Sequence, residues 1–112
     1  MAKYVIKFSP DYCATSLWAV NDNALSDFGN FIEYEDVGLP ANLIERLNNF
    51  DDSVMGLIDW DNPGGDCPLT YEERNKLYEE GIRLLQLVRD ELGTDYEVID
   101  GLDWIKPKLN NG

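Results

Sequence analysis

No histidine occurs anywhere in these 112 residues, and that absence removes more chemistry than any other feature of the chain. Without imidazole there is no Ser-His-Asp triad, no Cys-His pair and none of the usual zinc sites. Cysteine is scarce too: Cys13 and Cys67 stand alone and form no C-x-x-C pair. Nothing marks the chain for export, so both read as reduced thiols in a cytoplasmic protein. Cys13, between Tyr12 and Ala14, reads as a small core residue rather than a nucleophile. Neither G-x-x-x-x-G-K-[ST] nor G-x-G-x-x-G is present to hold phosphates. No apolar run approaches the roughly 18 residues that span a bilayer, and the opening residues hold no signal-peptide core.

Positive charge is missing from most of the chain. The net charge is −13 and is unevenly spread. Between Phe8 and Glu73 there are fourteen acidic residues and one basic residue, Arg46, whereas the other positions hold eight of each sign. Such a field repels nucleic acid and anionic membranes, and favours a soluble monomer or a strongly basic partner. The plainer reading is an ordinary solvated surface. Carboxylate pairs are plentiful, but 22 acids in 112 residues meet by chance, so a glycosidase-like dyad has no specific support. The chain therefore reads as a non-enzyme that takes no cofactor and no metal.

What is present is a core. Hydrophobic residues make up 44% of the chain, with three Trp, six Tyr and four Phe, which argues against disorder. The length suits one domain over residues 1–112, with 105–112 as a frayed tail. The strongest local signal is the stretch 70–93. Thr70 and Glu73 form a capping box, Pro68 bars an earlier start, and Gly93 supplies the stop. Tyr78, Ile82, Leu85, Val88 and Leu92 recur at helical spacing, widened by Leu77, Gly81 and Leu84. Ile82, Leu85 and Val88 are expected on the sheet.

Ahead of it, Tyr4, Ile6 and Phe8 alternate with Lys3, Val5 and Lys7 as in a half-buried strand. Residues 15–20 read as a second strand, 25–28 as one helical turn and 31–35 as a short third strand. Pro40 opens a second helix whose stripe is Leu43, Leu47, Phe50, Val54 and Leu57, with Asp51, Asp52, Ser53 and Gly56 able to bend it. Residues 96–100 form the last strand. The expectation is an α+β fold: a small, mainly antiparallel sheet with helices packed on one face.

Residues 59–66 are a loop by every local signal. Asp59, Asp61 and Gly64 fall at positions one, three and six of a calcium loop of the EF-hand kind. Position five is Pro63 and position twelve Thr70, so the closing bidentate acid is missing. Trp60 among Asp59, Asp61 and Asp66 suits an interface, an aromatic anchor inside a charged rim. The other reading turns Trp60 into the core and gives the aspartates to the turn. A second exposed acidic cluster, Glu33, Glu35 and Asp36, precedes the second helix.

Across the chain, F-S-P-D-Y, S-L-W, F-G-N-F-I, G-L-P-A-N-L-I-E-R-L and L-I-D-W-D-N-P follow one another. They are succeeded by E-E-R-N-K-L-Y-E-E-G-I-R-L-L-Q-L-V-R-D-E-L-G and a Y-E-V strand. This series resembles small bacterial immunity proteins, the cognate inhibitors of polymorphic and contact-dependent growth inhibition toxins. The resemblance implies a protein that binds the toxin's C-terminal domain, often a nuclease, in the cytoplasm, blocking its active site or docking beside it. It implies a monomer in a 1:1 complex, with no direct contact to nucleic acid or membrane. Contact residues vary between such pairs, so no residue role is carried over. A nuclease needs a positive cleft for phosphates, and an acidic partner meets it with complementary potential. The expected contacts are Asp59, Trp60, Asp61 and Asp66 first, then Glu33, Glu35 and Asp36. Two other classes stay open: an acidic adaptor or nucleic-acid mimic that binds a basic host protein, and an unrecognised small enzyme or metal-binding module.

Overall fold

The strand Tyr4–Phe8 (β1) occupies the middle of a three-stranded sheet of order β2-β1-β3. The computed structural model describes residues 2–11, 15–57, 61 and 67–107. Strand β2 (Leu17–Ala19) pairs antiparallel with β1, Phe8 opposite Leu17 and Ile6 opposite Ala19. Strand β3 (Tyr96–Asp100) pairs parallel with the other edge, Tyr4 beside Tyr96 and Phe8 beside Asp100. An antiparallel bridge joins Trp18 to Phe31 outside β2. The fold is α+β as expected, and its sheet is mixed. A parallel neighbour demands a long crossover, and here the crossover is the helical layer itself.

That layer holds three α-helices among the described residues: α1 (Asp22–Phe28), α2 (Ala41–Val54) and α3 (Tyr71–Leu92). All of them serve the face of the sheet that carries Tyr4, Ile6 and Phe8. Ile6 and Phe8 are fully buried, and the Phe8 ring stacks on Phe50 of α2 at 6.0 Å. Tyr4 packs between Phe28 of α1 and Tyr96 of β3, each centroid 5.0 Å away, and its hydroxyl donates to Asp27. The amphipathic stripe of α2 is buried as read, through Leu43, Leu47, Phe50 and Val54. Leu57 follows in a 3-10 turn, Met55–Leu57, so Gly56 tightens the helix end without breaking the stripe.

Helix α3 starts where its cap says it should. Thr70 Oγ1 accepts from the Glu73 N–H, and Glu73 Oε1 accepts from the Thr70 N–H, both at 3.1 Å. The buried face is Leu77, Gly81, Leu84, Leu85 and Val88. Ile82, expected on the sheet, is instead 38% exposed. The cause is Gly81: a Cβ there would sit 3.1 Å from both Phe50 and Leu102. The helix turns its smallest residue toward the closest neighbours, which rotates Ile82 outward.

Two further expectations are corrected. The third strand shrinks to the bridge at Phe31, because the chain enters a 3-10 turn, Tyr34–Val37, that ends on left-handed Gly38. The frayed tail does not begin at 105. Ile105 is fully buried, Pro107 is buried, and Arg74 of α3 donates to the carbonyls of Ile105 (2.9 Å) and Trp104 (2.8 Å). Residues 108–112 lie outside the described residues. Cys67 is a free, half-buried thiol packed against the core, and Cys13 lies outside the described residues. No helix is long and apolar enough to cross a membrane among the described residues.

The opposite face of the sheet carries no helix among the described residues. Register places Ile99 beside Lys7, Lys7 opposite Trp18 and Trp18 opposite Phe31, so these four residues run in one row across it. A second row holds Glu97 beside Val5 and then Val20, whose N–H donates to the Val5 carbonyl at 2.9 Å.

Candidate partner-binding site

The acidic cluster Glu33, Glu35 and Asp36 rides on the turn that follows Phe31, and all three side chains are exposed. The turn is held from below by its one buried residue, Tyr34. The Tyr34 hydroxyl donates to Asp51 Oδ2 at 2.5 Å and accepts from the Ser16 N–H at 2.9 Å. Ser16 Oγ donates to Asp51 Oδ1 at 2.5 Å. Thr15 Oγ1 adds a bond to the Ile32 carbonyl at 2.9 Å. Three segments, 15–16, 32–34 and the middle of α2, therefore converge on one polar knot, and the acids above it are presented on a fixed backbone rather than a slack loop.

Burial sets the protonation of that knot. It raises the Asp51 carboxyl above its ordinary range, against the opposing hydrogen bonds from Ser16 and Tyr34. It pushes the Tyr34 phenol up as well, with the Asp51 charge beside it adding to the shift. Ser16 is fully buried and Tyr34 nearly so. A hydroxyl, a phenol and a carboxyl meet here, with Ser16 and Tyr34 buried and Asp51 half-buried. Buried polar groups that satisfy one another specify a unique packing, and that is what they do here.

Of the loop residues expected at the interface, Asp61 is exposed in a turn, while Asp59, Trp60 and Asp66 lie outside the described residues. Glu33, Glu35 and Asp36 are brought together on one short segment. Arg46, the one cation between Phe8 and Glu73, faces away from this cluster toward α3. Its Nη2 reaches both Glu80 carboxylate oxygens, at 2.9 and 3.1 Å. No cation pairs with Glu33, Glu35 or Asp36 among the described residues. Their charge is left for solvent or a partner.

Trp18 and Phe31 escaped the sequence reading as surface features. Each looks like a strand residue with a core to fill. Their rings instead meet on the open face, 4.7 Å between centroids and tilted by 54°, and Trp18 Nε1 donates to the Ser9 carbonyl at 2.7 Å. A signal existed: Trp18 shares strand parity with exposed Lys7 once the hairpin register is known. Without that register it was unreadable.

Among the described residues, this side of the molecule presents carboxylates and an exposed aromatic pair. No curated protein matches the chain. A family model described as Serratia CdiI immunity protein-like matches residues 4–99, which takes in all three strands of the sheet almost completely and every α-helix between them. The chain belongs to the Serratia CdiI immunity protein-like family.

Proposed function

We propose that this protein is a non-catalytic inhibitor that binds the C-terminal domain of its cognate contact-dependent growth inhibition toxin and neutralises it through an acidic surface. The observation that carries this is the family match across residues 4–99. The charge distribution supplies the chemistry of the partner. Fourteen acids against one base from Phe8 through Glu73 call for a basic surface, and a nuclease, which must hold phosphates, has one. The protein acts in the cytoplasm as one folded domain, a monomer in a 1:1 complex. Its contacts come from Asp59, Trp60, Asp61 and Asp66 and from Glu33, Glu35 and Asp36. Complementary potential raises the association rate, which matters to a cell that must intercept a toxin already inside it.

The test is co-production with the toxin domain encoded by the adjacent reading frame. Cells carrying this protein should survive, and the purified pair should associate at a rate that falls steeply with added salt. Charge reversal by Glu33→Lys, Asp36→Lys and Asp61→Lys together should slow association and flatten that salt dependence, with the dissociation rate changing less. Absence of protection, with the protein folded and abundant, would sink the immunity role. Protection with a salt-independent association rate would sink the acidic surface as its means.

A further inference from the structure

We infer that the helix-free face of the sheet is the surface on which the toxin domain docks, with Phe31 and Trp18 as its apolar centre; this rests on the immunity role proposed for the chain. The outer row Ile99–Lys7–Trp18–Phe31 and the second row Glu97–Val5–Val20 place five apolar side chains on one side of the sheet. Phe31 is 54% exposed, Val20 52% and Ile99 36%. A protein that buries Ile6, Phe8 and Leu17 completely on the other side leaves these in water. Scattered apolar residues need no explanation, whereas a contiguous apolar face does.

The centre of the face is rigid before anything binds. Trp18 is tied to the Ser9 carbonyl through its indole N–H, and Phe31 is held against it by the bridge in the backbone. Fixed aromatic rings lose little freedom on association, which is why such residues dominate the energetics of interfaces. The rim is acidic. The chain leaves Phe31 through Glu33, Glu35 and Asp36, Glu97 stands in the second row, and Asp22 opens α1 just after Val20. Lys7 is the cation of the outer row. A basic toxin surface with an apolar centre is the occupant this pattern fits. A second copy of this chain is not, because it would bring an identical acidic rim and a net charge of −13 against its like. Acids at the rim then set the rate of encounter, and the aromatic pair sets how long the complex lasts.

The experiment measures binding of the purified toxin C-terminal domain from the adjacent reading frame to wild type, Phe31→Ala and Val20→Lys. Both positions are more than half exposed, so the variants fold, as thermal melting and near-ultraviolet circular dichroism will verify. Phe31→Ala should raise Kd at least about 30-fold, the scale of a hot-spot truncation, mainly through faster dissociation. Val20→Lys should weaken binding as much, by placing a cation against a basic partner. Amide exchange should slow across residues 17–20 and 96–100 in the complex. Wild-type binding with both variants within about twofold would move the interface elsewhere and leave the immunity role intact. No binding by wild type would remove the role, and this assignment with it. A wild-type dimer broken by Val20→Lys, with toxin affinity unchanged, would give the face to a second copy and overturn the proposal.

Discussion

Arg89, in the last turn of α3, donates from Nε and Nη2 to the carbonyl of Val98 in β3, at 3.1 and 2.7 Å. The Gly101 N–H donates to the Phe8 carbonyl, which fixes the parallel register and turns the Val98 carbonyl to the outer edge of β3. One guanidinium thus fastens the helix to the sheet and occupies an acceptor that an edge strand would otherwise offer to another chain. Arg89→Ala should cost about 1–3 kcal/mol, the range for stranding a partly buried hydrogen-bonding group, read from urea unfolding. Arg89→Lys should recover part of the loss. An unchanged midpoint in both variants would show that solvent replaces the arginine without penalty.

Leu85 and Ile82 test which face of α3 is buried. Leu85 is 3% exposed and Ile82 38%. Leu85→Ala should lose about 2–5 kcal/mol of stability, as truncations in packed cores do. Ile82→Ala should lose less, since more than a third of that residue stays in water and its removal leaves no enclosed cavity. Equal losses would contradict the rotation of the helix about Gly81.

The capping box, the stripe of α2 and the alternation of β1 were legible because each is a local rule read over a few residues. The face of α3 was legible through Leu85 and Val88, with Leu77, Gly81 and Leu84 beside them, and only Ile82 was misplaced, because Gly81 answers to Phe50 and Leu102, neither of which is local to it. The alternation at 31–35 is real, with Ile32 and Tyr34 buried and Phe31 and Glu33 exposed. Only Phe31 pairs, because Tyr34 turns inward to reach Asp51. The parallel partnership of β1 and β3 joins residues more than ninety positions apart, and no composition signals it. Charge was legible as a quantity along the chain, while the aromatic pair on the open face depended on a hairpin register that only the fold supplies.

Gly101 marks the tightest approach in the sheet. A Cβ there would lie 2.6 Å from Ser9 Cβ and 3.0 Å from the Phe8 carbonyl oxygen. The second of these is backbone and has nowhere to go. Gly101→Ala should therefore destabilise the protein by about 1–3 kcal/mol through overpacking, despite the better backbone entropy of alanine. Thermal melting checks this, and a neutral or raised Tm would mean that the β1–β3 pairing is looser than its register implies.

Asp51 should give the protein an unusual response to acid. Its folded-state pKa lies above the ordinary value of 3.8, with burial as the main cause, so the folded state holds this proton more tightly than the unfolded one. The sign follows from linkage: stability from this group is fully present below 3.8 and is lost as pH rises through the raised pKa. Asp51→Asn cannot titrate. The stability difference between wild type and Asp51→Asn should shift in favour of wild type as pH falls from neutral into that window. A difference that is flat with pH, or that moves the other way, would show that the hydrogen bonds from Ser16 and Tyr34 outweigh burial.

The position of β1 also bears on when the protein becomes useful. Of the three strands of this sheet, the first to be made is the central one, and its parallel partner is not complete until Asp100. Val98, Leu102 and Ile105 complete a core that residues 4–92 leave open along one side. Pairing across so long a loop is slow, and the entropy of closing it must be met before the contacts return anything. Ile6 and Phe8 are therefore made long before the residues that complete the cover over them, and the core of this sheet closes only once Ile105 has been added.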